Sequence, residues 1–213
     1  MKKYKLYLFD LDGTLLDSDP MIVETFKYFY KKYKPSSFKP DISRMLTFSG
    51  PPIRETLKQE FPELDQELIL EEWRRESIKN YPLYTKLFPD VLEMFLTFKE
   101  KGINAAIFTN KHRAATNEVF KLFGLDKLNI FSICGDEGIE QKPSPSGIFK
   151  CMNHFGIVNK DEVIYIGDSI FDYETSKNAG VDFGLVLWSP RKLPKNLEIP
   201  VKIGSFYEFM RSL

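Results

Sequence analysis

The 213-residue chain sets 30 lysines and arginines against 30 aspartates and glutamates, so no net positive field draws it to nucleic acid or to an acidic membrane surface. Its 43% hydrophobic residues suffice for a substantial core, yet no apolar run approaches the ~18 residues of a membrane span. Two cysteines, Cys134 and Cys151, match no metal-ligand spacing and read as buried free thiols in a reducing compartment, which makes a cytoplasmic protein the expectation.

The N-terminal stretch MKKYKLYLFDLDG starts with lysines, as a signal peptide does, but its apolar run is short, rich in tyrosine and ends in acids. LYLF at 6–9 predicts a strand that runs straight into Asp10, with Asp12, Gly13 and Thr14 after it. Residues 17–82 change character: SDPMIVETFKYFYKKYKP, PDISRMLTFSG, PPIRETLKQEF and LDQELILEEWRRESIKNY all read as helical, and Asp19-Pro20 reads as a cap and first turn. From residue 89 onward strands and helices alternate. Helical patterns at 89–102, 114–124, 145–156 and 171–180 each stop at a glycine, and AAIF at 105–108, VIYIG at 163–167 and FGLVLW at 183–188 read as strands. The strand runs are continuous rather than alternating, which suits strands buried on both faces. The expected fold class is therefore α/β: a parallel sheet covered by helices, residues 1–16 and 83–213, with an all-helical insert at 17–82 after the first strand.

Three of the predicted strands end in polar residues of one kind: Asp10 and Asp12, then Thr109 and Asn110, then Asp168 followed by Asp172. Ligands of open α/β sheets bind beyond the carboxyl ends of the strands, so these six gather around one crevice. Lys142, ahead of the next helix and extended by Pro143, can reach it. Clustered carboxylates repel one another, and a divalent cation bound by oxygen, Mg²⁺, resolves the repulsion. A cation among acids beside a lysine is a phosphate site. Each feature alone has a plainer reading: a hairpin turn for Asp12-Gly13, a helix cap for Thr109-Asn110, a solvated lysine for Lys142. A calcium loop starting at Asp10 needs glutamate where Met21 stands, and one starting at Asp168 meets Ala179. All four features in order, each at a strand end or helix start, defeat the plain readings. His112 and His154 are not spaced as ligands; His112 follows TNK, near enough to line the site, with a surface role the preferred reading, and Trp73 and Trp188 read as packing.

The segments FDLDGTLLDS, IFTNK, KPSP and IGDSIFDYETSKNAG, in this order between residues 9 and 180, resemble the four motifs of the haloacid dehalogenase-like hydrolases. The resemblance implies a Rossmann-like core and a small α-helical cap at 17–82. FSGPPIRETL at 48–57 looks like the cap loop of the phosphoglycolate phosphatase and bacterial pyrophosphatase branch, whereas LWSPRK at 187–192 departs from the glycine that such relatives carry after the tryptophan. Carried over motif by motif, the resemblance makes Asp10 the nucleophile and Asp12 the general acid and base, with its carbonyl a metal ligand. Asp168 is a further carboxylate ligand, and Asp172 holds a metal-bound water or orients Lys142. Thr109, the Asn110 backbone N–H and Lys142 receive the phosphoryl group, with Asn110 taken as a helix start. Arg54 in the cap grips a second anionic group. The implied protein is a Mg²⁺-dependent phosphatase of a small phosphorylated metabolite. Its rivals are a phosphomutase with the same residues, a dehalogenase, which has no use for Asp12, and a non-catalytic regulator.

Overall fold

The computed structural model describes residues 2–213. Six parallel strands form the main sheet: β1 (Leu6–Phe9), β4 (Asn104–Phe108), β5 (Phe131–Ile133), β6 (Val163–Gly167), β7 (Asp182–Val186) and β8 (Val201–Ile203), in the order β5-β4-β1-β6-β7-β8. The alternating pattern predicts a parallel sheet of this kind, and the family resemblance its Rossmann-like form. The chain steps outward from β1 through β4 to β5, then returns to the other side of β1 for β6. The reversal places a crevice at the carboxyl end of β1, between its two neighbours.

The continuity of the apolar runs has a direct cause. Side chains alternate across a strand, and both faces are buried. Tyr7 and Phe9 enter one core, with Phe95, Phe98, Phe206 and Phe209, while Leu6 and Leu8 enter the other, with Ile148, Cys151 and Met152. Helices α5 (Val91–Glu100) and α9 (Phe206–Arg211) cover the first face. Helices α7 (Ser146–His154) and α8 (Ile170–Ala179) cover the second. Both cysteines are buried and free, as expected. Among the described residues no helix is long and apolar enough to cross a membrane.

A two-stranded ribbon, β2 (Leu16–Asp17) paired antiparallel with β3 (Lys86–Leu87), marks where the chain leaves the sheet and returns. Between them run α1 (Asp19–Tyr33), α2 (Ile42–Met45), α3 (Ile53–Glu60) and α4 (Gln66–Tyr84), with no strand. Phe26, Phe29, Phe61 and Trp73 pack at tilted angles in their interior, Phe26 and Trp73 at 4.6 Å between ring centroids.

Some local expectations need correcting. Asp19 does not cap α1: Ser18 holds that position, and Asp19 is the first helical residue, its carboxylate taken by Arg191. Asn110 does not start a helix, because α6 (Arg113–Phe123) begins three residues later with His112 at its cap position. The strand read at 183–188 runs from Asp182 to Val186 instead, and Trp188 packs on Phe88 and Phe206 beyond its end. The short strands β5 and β8 and helix α9 went unforeseen. Each spans only three to six residues, too few for a periodic signal.

Candidate active site

Asp10 follows the last residue of β1, and its N–H donates to the Ile166 carbonyl at 2.9 Å, which extends the ladder to β6 by one bond. The chain then folds back at once. The N–H groups of Thr14, Leu15 and Leu16 all point at the Leu11 carbonyl, and the Gly13 N–H donates to Leu16. Gly13 sits at φ +82°, and a Cβ there would lie 2.2 Å from Asp168 Oδ2. Only glycine meets both demands, so the Asp-x-Asp-Gly spacing packs the first motif against the fourth.

Asp168 ends the β6 region, and α8 begins beyond it with a reciprocal cap: Ser169 accepts from the Asp172 N–H while Asp172 accepts from Ser169. Asp172 Oδ2 accepts from the Ser169 hydroxyl at 2.6 Å and from the N–H groups of Asp168 and Ser169. Its Oδ1 accepts from Tyr165 at 3.1 Å and from Lys142 Nζ at 2.6 Å. Lys142 Nζ also donates to Asp10 Oδ1 at 2.7 Å. The lysine is 2% exposed, so Asp10 and Asp172 together hold a buried ammonium between β1 and α8.

Burial is the dominant electrostatic influence. It pushes Asp10 up to about 8 against the pull of Lys142, with Asp172 and Asp168 adding to the rise. It pushes Asp168 up to about 6 against Arg191. Burial acts the same way on Asp172, but there Lys142 and the Ser169 bonds outweigh it and hold the carboxyl below its ordinary value. Lys142 is raised because its two carboxylates more than offset its own burial.

Asp10, Asp168 and Asp172 each bring a carboxylate oxygen within 4.8 Å of the others, and all three are buried. Among the described residues only two cations, Lys142 and Arg191, pair with these three acids. An all-oxygen, charge-deficient set of this kind fits a hard divalent cation.

The other expected residues lie nearby. Thr109 is buried at the end of β4, its hydroxyl accepting from the Lys111 N–H. Asn110 accepts from the Lys142 N–H at 2.8 Å and donates to the Lys142 and Gly50 carbonyls, tying the second motif to the third and to the loop before α3. Arg54 lines the cavity that opens over Asp10 and Asp12, but its guanidinium forks onto Glu67. His112, read as a surface residue, lines the cavity and pairs with Asp136 at 2.8 Å.

Two residues escaped the sequence reading. Lys111 sits 2.8 Å from Asp12 Oδ2 and lies over the ring of Tyr81 on α4, while the buried Asp12 Oδ1 has no hydrogen-bond partner among the described residues. Its signal was adjacency to Thr109-Asn110. Arg191 donates to Asp168 Oδ2 at 2.7 Å, to Asp19 on α1 and to the Ser49 carbonyl at 3.2 Å. It lies in LWSPRK, the segment that departs from the branch pattern. No local signal marks an arginine that must cross 23 residues to one acid and 172 to the other. Arg191→Met leaves two largely buried carboxylates without their cation, and should lower unfolding free energy by about 3 kcal/mol in metal-free buffer. Urea unfolding measures it; an unchanged midpoint would mean that the two pairs contribute nothing net.

Comparisons with known proteins give the family. The family model of the haloacid dehalogenase-like hydrolases matches residues 7–186. A pyrophosphatase PpaX of Halalkalibacterium halodurans is 31% identical over 185 residues, 86% of this chain and 84% of that protein. A phosphoglycolate phosphatase of Aquifex aeolicus is 29% identical over 196 residues, 92% of this chain and 90% of that one. A solved HAD-superfamily hydrolase, subfamily IA, from Geobacter sulfurreducens shares the fold, with a TM-score of 0.72 over 99% of this chain and 96% of that one at 23% identity. The chain belongs to the haloacid dehalogenase-like hydrolases, and stands among their phosphatases.

Proposed function

We propose that the protein is a Mg²⁺-dependent cytoplasmic phosphatase that hydrolyses a small phosphomonoester through an aspartyl phosphate on Asp10. The carrying observation is the buried contact of Lys142 Nζ with Asp10 at 2.7 Å beside Asp168, at the carboxyl ends of adjacent strands. The relatives' names bring phosphoglycolate and pyrophosphate forward as candidate substrates. The helices of residues 17–82 act as the cap, and residues 1–16 and 83–213 as the catalytic core.

Asp10 attacks phosphorus as a carboxylate, and the bond from phosphorus to the leaving oxygen breaks as the bond to Asp10 forms. Asp12 gives its proton to the leaving oxygen, then takes one from the water that cleaves the acyl phosphate and frees inorganic phosphate. Lys142, the Thr109 hydroxyl and the Asn110 backbone N–H bear the charge of the transferring group. A cation held by Asp10, Asp168 and the Asp12 carbonyl would let the anionic nucleophile and the anionic phosphoryl group meet. The five bonds accepted by Asp172 favour a role in orienting Lys142 over direct ligation.

Phosphate release from a metabolite panel tests the reading. Chelation should abolish activity and Mg²⁺ restore it. Ca²⁺ should serve poorly, because it takes longer bonds and more ligands. Full activity after exhaustive chelation would remove the metal from the proposal.

A further inference from the structure

We propose that the leaving group is an uncharged alcohol with an aromatic or branched aliphatic body, rather than a second phosphate or a carboxylate. The proposal rests on the phosphatase reading above and concerns what lies beyond the phosphoryl group.

A cavity of about 370 Å³ opens over Asp10 and Asp12, between the loops of the core and the helices of residues 17–82. Its core side carries Thr109, Asn110 and Lys142. Its far side is mainly apolar, made by the six residues Ile22, Phe48, Leu70, Trp73, Ile78 and Tyr81, with Ser77, Arg54 and Arg74 beside them. Five of these six are buried in the packing of the helices, so the wall is fixed; only Ile78, 38% exposed, stands at the edge. The volume lies near the low end of the ~300–1,000 Å³ typical of ligand sites. After the phosphoryl group is seated, it leaves room for one ring or a short branched chain.

The cations of the cavity argue the same way. Arg54 is bound to Glu67, Lys111 to Asp12, His112 to Asp136, and Lys142 to Asp10 and Asp172. Among the described residues lining the cavity, Arg74 alone of the cationic side chains makes no ion pair, and it is exposed. Lys142 faces the phosphoryl position. A second anionic group in the substrate that does not reach the exposed Arg74 would either lie against the apolar wall, where an unpaired charge is costly, or break an existing pair. A neutral ring gains from that wall in proportion to the apolar area it covers.

The test compares kcat/KM of the full chain with Mg²⁺ for benzyl phosphate, glycerol 3-phosphate, phosphoglycolate and pyrophosphate. Benzyl and glycerol phosphates both release a poorly acidic alcohol, so leaving-group acidity does not decide between them. Benzyl phosphate should lead each of the others by about tenfold or more. Ile78→Asp, at an exposed site that tolerates a polar residue, should remove about tenfold of that lead, chiefly through KM. Phosphoglycolate or pyrophosphate in first place overturns the proposal and leaves the phosphatase reading intact, as does glycerol 3-phosphate level with benzyl phosphate. A benzyl preference unmoved in Ile78→Asp overturns the assignment to this wall. No phosphate from any of the four overturns the phosphatase reading, and this proposal with it.

Discussion

Asp10→Asn should release no phosphate from any ester, good leaving group or poor, with a fall in kcat of about 10⁵-fold or more, the scale set by removal of a covalent nucleophile. The amide keeps the size of the carboxylate but cannot form an acyl phosphate. No labelled phosphoenzyme should survive rapid acid quench. The fold should persist, because the substitution removes a buried charge that sits among Asp168 and Asp172. Stability as a function of pH provides the control. In metal-free wild type, burial raises Asp10 from 3.8 to about 8, so between those values the folded state holds more protons than the unfolded state. Stability therefore falls as pH rises through this window, and Asp10→Asn should flatten that slope. Trapped label in Asp10→Asn, with the protein folded, would move the nucleophile elsewhere.

Asp12→Asn should behave differently. The nucleophile and the backbone carbonyl remain, and proton transfer is lost, a change worth ~10²–10⁴ in rate. With an activated aryl phosphate the leaving group needs little protonation, so the first step should recover. Hydrolysis of the acyl phosphate still needs a base, so the phosphoenzyme should accumulate after one turnover as acid-stable, hydroxylamine-sensitive label. The substitution also removes the partner of Lys111, which is held 2.8 Å from Asp12 and against Tyr81 of α4. Lys111→Met separates the two effects. It keeps the proton-transfer group, so its loss should not depend on leaving-group acidity, whereas that of Asp12→Asn should. Equal inertness of Asp12→Asn toward good and poor leaving groups would end the proposed division of labour.

The elements that position the site were legible because each had a local cause. A strand buried on both faces must be continuously apolar, so 6–9, 105–108 and 163–167 stood out, and their polar ends marked the crevice. Pairings between distant segments had no such cause. Asp172 was visible as an acid near a helix start, but its five accepted bonds depend on Tyr165 and on Lys142, brought in from another loop. Asn110 looked like the start of a helix, and became a clasp between two loops only because Lys142 and Gly50 arrive beside it.

The sequence by itself determined the α/β class, the presence of a helical stretch after the first strand and the order of the four motifs, since periodicity and the glycine and proline signals act within a few residues along the chain. Tertiary structure alone decided which charges meet. Arg191 reaches both Asp168 and Asp19, Lys111 meets Asp12, and every cavity cation but Arg74 is matched to an acid among the described residues. Such pairings follow from the packing of the helices on the sheet. Coulomb attraction falls with distance in space, whereas sequence pattern records distance along the chain.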